Sequence, residues 1–138
     1  MRVWARVASG AAVALMLAPW VSAQAAPSAS DAWVAAPAAG ATTAEAYVVV
    51  DNPTMYEIFV VSVTADIAGS AEIVQGDAGE RVKELSVPSY GRTELKPGAV
   101  RIRLKDLKGP LKEGDSVALT LTTEGGVILK IAAAVKKG

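Results

Sequence analysis

The side chains that could do chemistry in this sequence are few, and two of the most useful types are missing. The 138 residues contain no histidine and no cysteine. Without histidine there is no ordinary general base near pH 7 and no imidazole to bind a metal. Without cysteine there is no thiolate nucleophile, no disulfide and no thiol for lipid attachment. Zinc-finger and blue-copper sites are excluded by their ligand types, and we do not expect an enzyme.

The remaining candidates are a methionine and a few carboxylates. Met55 is the only sulfur-containing residue after position 16, and one thioether is too little for a tight metal site. Glu72, Glu80 and Glu84 could be imagined as an acid–base pair, but no nucleophile accompanies them. We interpret these three residues as a solvated strand face.

Arg101 and Arg103 are the charged pair whose placement is most informative. They alternate with aliphatic residues over positions 100–105, so both side chains lie on one face of a predicted strand. Two interpretations are open. The arginines could be fixed charges that pair with Glu72 or Glu94, or they could form a solvated cationic face that discourages edge-to-edge aggregation.

Short apolar segments separated by glycine and proline turns recur along the chain after residue 30, and none carries a helical apolar stripe. This pattern predicts an all-β fold, namely a β-sandwich. We expect Trp33 and Phe59 to be its large core aromatics, flanked by Tyr47 and Tyr56. The predicted strands cover residues 31–34, 46–50, 58–63, 71–74, 81–85, 92–95, 100–105, 116–122 and 127–133.

The first 25 residues have the features of a secretory signal peptide. Arg2 and Arg6 precede a short apolar run that glycine and proline interrupt, and this run is too short to span a bilayer comfortably. Small-residue cleavage motifs end at Ala23 and at Ala25, and both sites remain open. We therefore expect an exported protein without a membrane span in its mature form.

The rest of the chain has the size of one domain. We expect a flexible linker over residues 26–30 and a single domain over residues 31–138. Lysine plus arginine balance aspartate plus glutamate at 14 each. Because no cationic excess is available to neutralise phosphates, we do not expect a nucleic acid partner.

Several segments, taken in order, resemble the periplasmic copper chaperones of the copper-A type, the PCu(A)C family. A tryptophan-containing strand at 32–37 precedes a tyrosine-led strand that ends in Asn-Pro at 46–53. The later segments 85–88, 94–98 and 104–121 also follow the family pattern. The resemblance implies a cupredoxin-like (immunoglobulin-like) β-sandwich, a periplasmic location and a role near respiratory oxidase assembly.

The resemblance also implies where Cu(I) would bind, between two histidines and two methionines at the rim of the sandwich. The matching positions are Val74, Gly79, Arg101 and Arg103, and the loop between the first two looks shortened. None of these side chains offers a lone pair to a soft cation, and the arginines carry the charge of the ion itself. We therefore expect no metal at these positions and no cofactor.

Two functions follow from this sequence. The first is a degenerate family member that has kept the scaffold and lost the copper site. It would act as a monomer, by contact with a periplasmic protein such as a working copper chaperone or an oxidase subunit. The alternative is a functional periplasmic Cu(I) carrier for cytochrome oxidase copper-site assembly that uses non-standard ligands.

Overall fold

The computed structural model describes residues 26–137, and all regular structure in this range is β-strand. The predicted signal peptide, residues 1–25, lies outside the described residues. Within residues 26–137 there is no helix that could cross a membrane. The ten strands are β1 (Ser28–Ala35), β2 (Ala44–Asn52), β3 (Ile58–Ala65), β4 (Ala68–Gln75), β5 (Glu80–Val82), β6 (Leu85–Val87), β7 (Gly91–Glu94), β8 (Arg101–Leu107), β9 (Ser116–Thr123) and β10 (Ile128–Lys136).

The strands form one hydrogen-bonded sheet that curls on itself. Its order is β5-β4-β8-β2-β1-β10-β9-β3-β6, with β7 also paired to β2. The β1–β10 pair is parallel, and the other pairs are antiparallel. The consecutive strands β3 and β4 lie near opposite ends of this order and still contact each other. The sheet therefore closes almost completely around one core, and the predicted all-β sandwich is confirmed.

Most strands extend a few residues beyond the predicted bounds, and two differences change the interpretation. Residues 81–85 are divided between two strands, because β5 pairs with β4 while β6 pairs with β3. Lys83 and Glu84 connect these two strands. Ser28–Ser30, expected to be linker, pair with β2 as the start of β1. Their side chains are small and give little strand signal, whereas backbone pairing with β2 and contact of Ala29 with the core order this segment.

The core is aliphatic rather than aromatic, so the expectation for the large aromatics is wrong. Trp33 and Phe59 are only half-buried, and Tyr56 is exposed. Tyr47 is buried, but it lies on the outer face of β2, where its ring is 4.6 Å from that of Trp33. Branched side chains that alternate along the strands fill the space between the sheet's inner faces. Among the fully buried residues are Val34, Val48, Val50, Ile102, Leu104, Val117, Leu119 and Leu121.

Candidate functional site

Strand register brings the four positions at which the family resemblance implies copper ligands to one place. In the β4–β8 ladder, Val74 lies opposite Arg101 and Glu72 lies opposite Arg103. Directly opposed residues present their side chains on the same face. Gly79 belongs to the turn after β4, and a Cβ placed on it would be 2.6 Å from each terminal nitrogen of Arg103. The structure therefore gathers Val74, Gly79, Arg101 and Arg103 on the outer face.

A carboxylate from the neighbouring strand lies at the centre of this group. Glu45 on β2 is directly opposite Arg103 on β8. Arg101 Nε donates a hydrogen bond to Glu45 Oε2 at 2.6 Å, and Arg103 Nη2 lies 3.8 Å from the same oxygen. The Tyr47 hydroxyl donates to Glu45 Oε1 at 3.3 Å. We call these four residues, Glu45, Tyr47, Arg101 and Arg103, the Glu45 cluster.

Arg101 is a buried cation, and each of its three nitrogens donates a hydrogen bond. It is only 7% exposed, so the alternative of a solvated cationic face is wrong for this residue. Besides its bond to Glu45, it donates from Nη1 to the Ala99 carbonyl at 3.0 Å and from Nη2 to the Gly76 carbonyl at 3.1 Å. A guanidinium is stable in such surroundings because it is both paired and hydrogen-bonded. The loops that contain Gly76 and Ala99 thus fix Arg101 in place.

The same cluster perturbs the Tyr47 phenol. Burial raises the pKa of Tyr47, and the negative charge of Glu45 and its hydrogen bond raise that pKa further, while Arg101 opposes them. The ring of Trp33 packs against the phenol ring at a tilt of 37°. Tyr47 therefore remains a protonated hydrogen-bond donor to Glu45 at neutral pH.

The partners expected for the two arginines, Glu72 and Glu94, bind other cations. Glu72 Oε1 is 3.2 Å from Lys105 Nζ, and Glu94 Oε2 is 4.0 Å from Lys96 Nζ. Glu45 was not identified from the sequence because the strand was predicted to begin at residue 46, whereas β2 begins at Ala44. Extending the two-residue period back by one position would have placed Glu45 on the same face as Tyr47.

Met55 lies far from the Glu45 cluster. Glu45 is the second residue of β2 and Asn52 the last, so seven residues at about 3.3 Å each separate them by about 23 Å. Met55 follows in the next loop and is 61% exposed. Glu80 and Glu84 are also exposed, and across residues 26–137 no three histidine, cysteine or acidic side chains converge. Met55, the one methionine within residues 26–137, therefore does not reach the four predicted ligand positions.

The donor chemistry at these positions does not fit Cu(I). Valine and glycine have no donor atoms in their side chains, and a guanidinium has no lone pair to give. The remaining acceptor is Glu45, whose oxygens already accept from Arg101 and Tyr47. A carboxylate is also a hard ligand, whereas Cu(I) prefers thioether, thiolate or imidazole. The geometry instead produces a compact ion-pair cluster.

Comparison with solved structures defines the class of this sandwich as the PCuAC domain. The chain matches the apo PCuAC domain from PmoF1 with a TM-score of 0.74 and 25% identity, covering 83% of this chain and 96% of that one. The copper-bound PCuAC domain from PmoF2 matches with a TM-score of 0.74 and 23% identity, over 83% and 95%. The solution structure of Cu(I)-DR1885 from Deinococcus radiodurans is 30% identical with a TM-score of 0.66, over 81% and 77%.

The comparison of sequences agrees with this class. A family model described as LpqE-like, whose description names lipoproteins, matches residues 28–135. The chain belongs to this LpqE-like family of PCuAC copper chaperone domains, which confirms the resemblance seen in the sequence. A search of curated proteins found no match.

Proposed function

We propose that this protein is an exported PCuAC-family scaffold in which an internal ion-pair cluster has replaced the Cu(I) site. It acts by contact with another periplasmic protein, such as a working copper chaperone or an oxidase subunit, in copper homeostasis and respiratory oxidase assembly. The observation that carries the proposal is the Glu45 cluster, since its two arginines stand at two of the four positions where the family resemblance implies copper ligands and the other two are Val74 and Gly79.

Two energetic terms oppose a cation at this cluster. Glu45 carries one negative charge against the two positive charges of Arg101 and Arg103, which leaves a net charge of +1. A unit cation about 4 Å from that excess charge would be repelled by about 4 kcal/mol at an effective dielectric constant near 20. Displacing Arg101 to make room would break a buried ion pair, at a cost of about 3–5 kcal/mol.

The proposed mode of action is binding rather than catalysis. The sequence supplies neither histidine nor cysteine, and Glu45 and Arg101 hold each other in an ion pair. The scaffold itself is intact, with an aliphatic core and a rigid charged face on β2, β4 and β8. A folded surface without reactive groups is suited to recognition of another protein.

Export is supported by the position of the first strand. Because β1 begins at Ser28, cleavage after either Ala23 or Ala25 would leave every strand of the domain intact. The family description names lipoproteins, but the cysteine that would carry a lipid is not among the 138 residues. We propose that the protein is exported to the periplasm.

The alternative, a Cu(I) carrier with non-standard ligands, would have to use Met55. A copper-bound neighbour and a Cu(I)-bound neighbour make this alternative worth testing directly. The experiment is the copper content of the mature protein after export in copper-supplemented cells. We expect no stoichiometric copper. One copper per chain that disappears in Met55→Leu would instead establish the alternative.

Partner contact is tested separately, by affinity capture from a periplasmic extract. We expect the mature protein to retain an oxidase-assembly or copper-handling protein. The matched control is Arg92→Gln, which alters an exposed arginine paired with Asp51 at 3.2 Å and should retain the same partner. Capture of no such protein by a folded, copper-free domain would contradict the proposed mode of action.

A further inference from the structure

An open pocket of about 470 Å³ adjoins the Glu45 cluster. One wall consists of the small apolar residues Ala35, Ala36 and Pro37 at the end of β1, and the other side carries Glu45, Arg103 and Lys105. Its volume lies in the range of pockets that bind small molecules or a few residues of a peptide. The pocket therefore combines a short apolar wall with a charged side.

Arg103 is the charged group in this pocket with the least internal compensation. Both oxygens of Glu45 already accept hydrogen bonds from Arg101 and Tyr47. Lys105 is 3.2 Å from Glu72. Arg103 has only the 3.8 Å approach to Glu45, and within residues 26–137 its guanidinium makes no hydrogen bond. Three cations and two carboxylates leave this face with a net charge of +1, and the excess is at Arg103.

The Arg103 guanidinium is also held in a defined position. It lies directly over Gly79, in space that a side chain at that residue would fill. Its side chain is 30% exposed, and Arg103 is one of the residues that line the pocket. A planar fork of donors fixed in this way is preorganised for bidentate binding of a carboxylate.

We propose that this pocket binds a carboxylate side chain in an acidic segment of the partner protein. Arg103 is the bidentate donor, Lys105 lines the same side of the pocket while paired with Glu72, and the Ala35–Pro37 wall packs against the methylene groups of the segment. This inference rests on the proposed function, since it names the chemistry by which the partner is recognised. Arg101 takes no part in binding, because its three nitrogens are already committed to internal acceptors.

The test is a titration of the ¹⁵N-labelled mature protein with the peptide acetyl-Glu-Ala-Glu-Ala-Glu-amide, followed by NMR. We expect saturable shifts of the Arg103 Nε–H signal and of the backbone amides of Ala36 and Lys105. Arg103→Gln should weaken binding at least about tenfold, because losing even one of the two hydrogen bonds to a charged group is worth that factor. Arg103→Lys keeps the charge without the fork and should weaken binding less. Arg92→Gln should leave affinity unchanged.

Two further ligands test whether the pocket recognises a carboxylate within a peptide segment or a free acid. The matching glutamine peptide should not bind, and succinate should bind more weakly than the glutamate peptide because it cannot use the apolar wall. Absence of saturable shifts, equal binding of the glutamine peptide, or an equal loss in Arg92→Gln would overturn the proposal. If succinate binds as tightly as the peptide, the pocket recognises a free acid, and the proposal that it binds a peptide segment is overturned.

Failure of the pocket proposal is distinguishable from failure of the proposed function. If the protein carries stoichiometric copper but still binds the acidic peptide through Arg103, the ion-pair replacement is wrong and the pocket remains. If it carries no copper and does not bind the peptide, the copper-free scaffold remains and the pocket proposal fails. Thermal unfolding of each variant verifies that a lost signal does not reflect an unfolded domain.

Discussion

The Arg103 guanidinium occupies the space that a side chain on Gly79 would need. An added Cβ would lie 2.6 Å from both terminal nitrogens and 2.9 Å from the central carbon of that group. Gly79 also has φ of +69°, a conformation that disfavours other residues. The two positions are therefore complementary, because the glycine leaves the volume that the arginine fills.

This relationship predicts a measurable coupling between the two residues. Gly79→Ala should cost about 1–2 kcal/mol of unfolding free energy for its left-handed backbone, plus a further term because Arg103 must move away from Glu45. Gly76→Ala is the matched control, since Gly76 has φ of +74° and open space around its Cβ position. Urea unfolding should show the larger loss at Gly79, and Arg103→Ala should remove the difference. Equal losses at the two glycines in the native background would contradict the packing of Arg103 on Gly79.

The buried charge of Arg101 predicts a large effect of neutralising its partner. Glu45→Gln leaves a 7% exposed guanidinium without its counter-charge, and we expect a loss of about 3 kcal/mol in unfolding free energy. Glu72→Gln breaks the more exposed pair with Lys105 and should cost less than about 1 kcal/mol. Denaturant unfolding of both variants tests this. Losses of similar size would mean that burial does not distinguish the two ion pairs.

The raised pKa of the Tyr47 phenol predicts that the protein loses stability at high pH. Burial first, and then the charge and hydrogen bond of Glu45, raise the pKa of Tyr47 above its ordinary value of 10.0. Because the folded pKa lies above the unfolded one, the stabilisation is fully present below the unfolded pKa. It is lost as pH rises through the folded pKa. Tyr47→Phe should lack this decline.

Phenolate absorbance, taken as the difference between the protein and Tyr47→Phe, measures this pKa directly. Glu45→Gln should lower the pKa of Tyr47 without returning it to 10.0, because burial is the largest cause and remains. A Tyr47 pKa that does not change in Glu45→Gln would show that the carboxylate does not act on the phenol.

The pattern of β8 shows how far the sequence alone could predict this site. Alternation of cations with aliphatic residues predicts that Arg101 and Arg103 share one face, and the structure agrees. The same alternation does not specify the register between strands. Only that register, with Glu45 opposite Arg103, identifies the carboxylate that pairs with both arginines.

Burial of Arg101 could not be predicted for a different reason. Its terminal nitrogens donate to the carbonyl groups of Ala99 and Gly76, which belong to loops before β8 and after β4. Loop carbonyls carry no signal in side-chain composition, so the sequence could not distinguish a buried arginine from a solvated one. Likewise, a tryptophan on a short strand gives no indication of its face, and Trp33 packs outside the core against Tyr47.

The proposed loss of the copper site rests on side chains without lone pairs at the four positions where the family resemblance implies ligands. A Cu(I) titration against a chromophoric competing chelator tests it most directly, using the mature protein beside the variant Val74→His, Gly79→Met, Arg101→His and Arg103→Met. We expect the native protein to leave the chelator's copper untouched and the four-residue variant to withdraw one equivalent. One-to-one binding of sub-nanomolar affinity by the native protein would contradict the account.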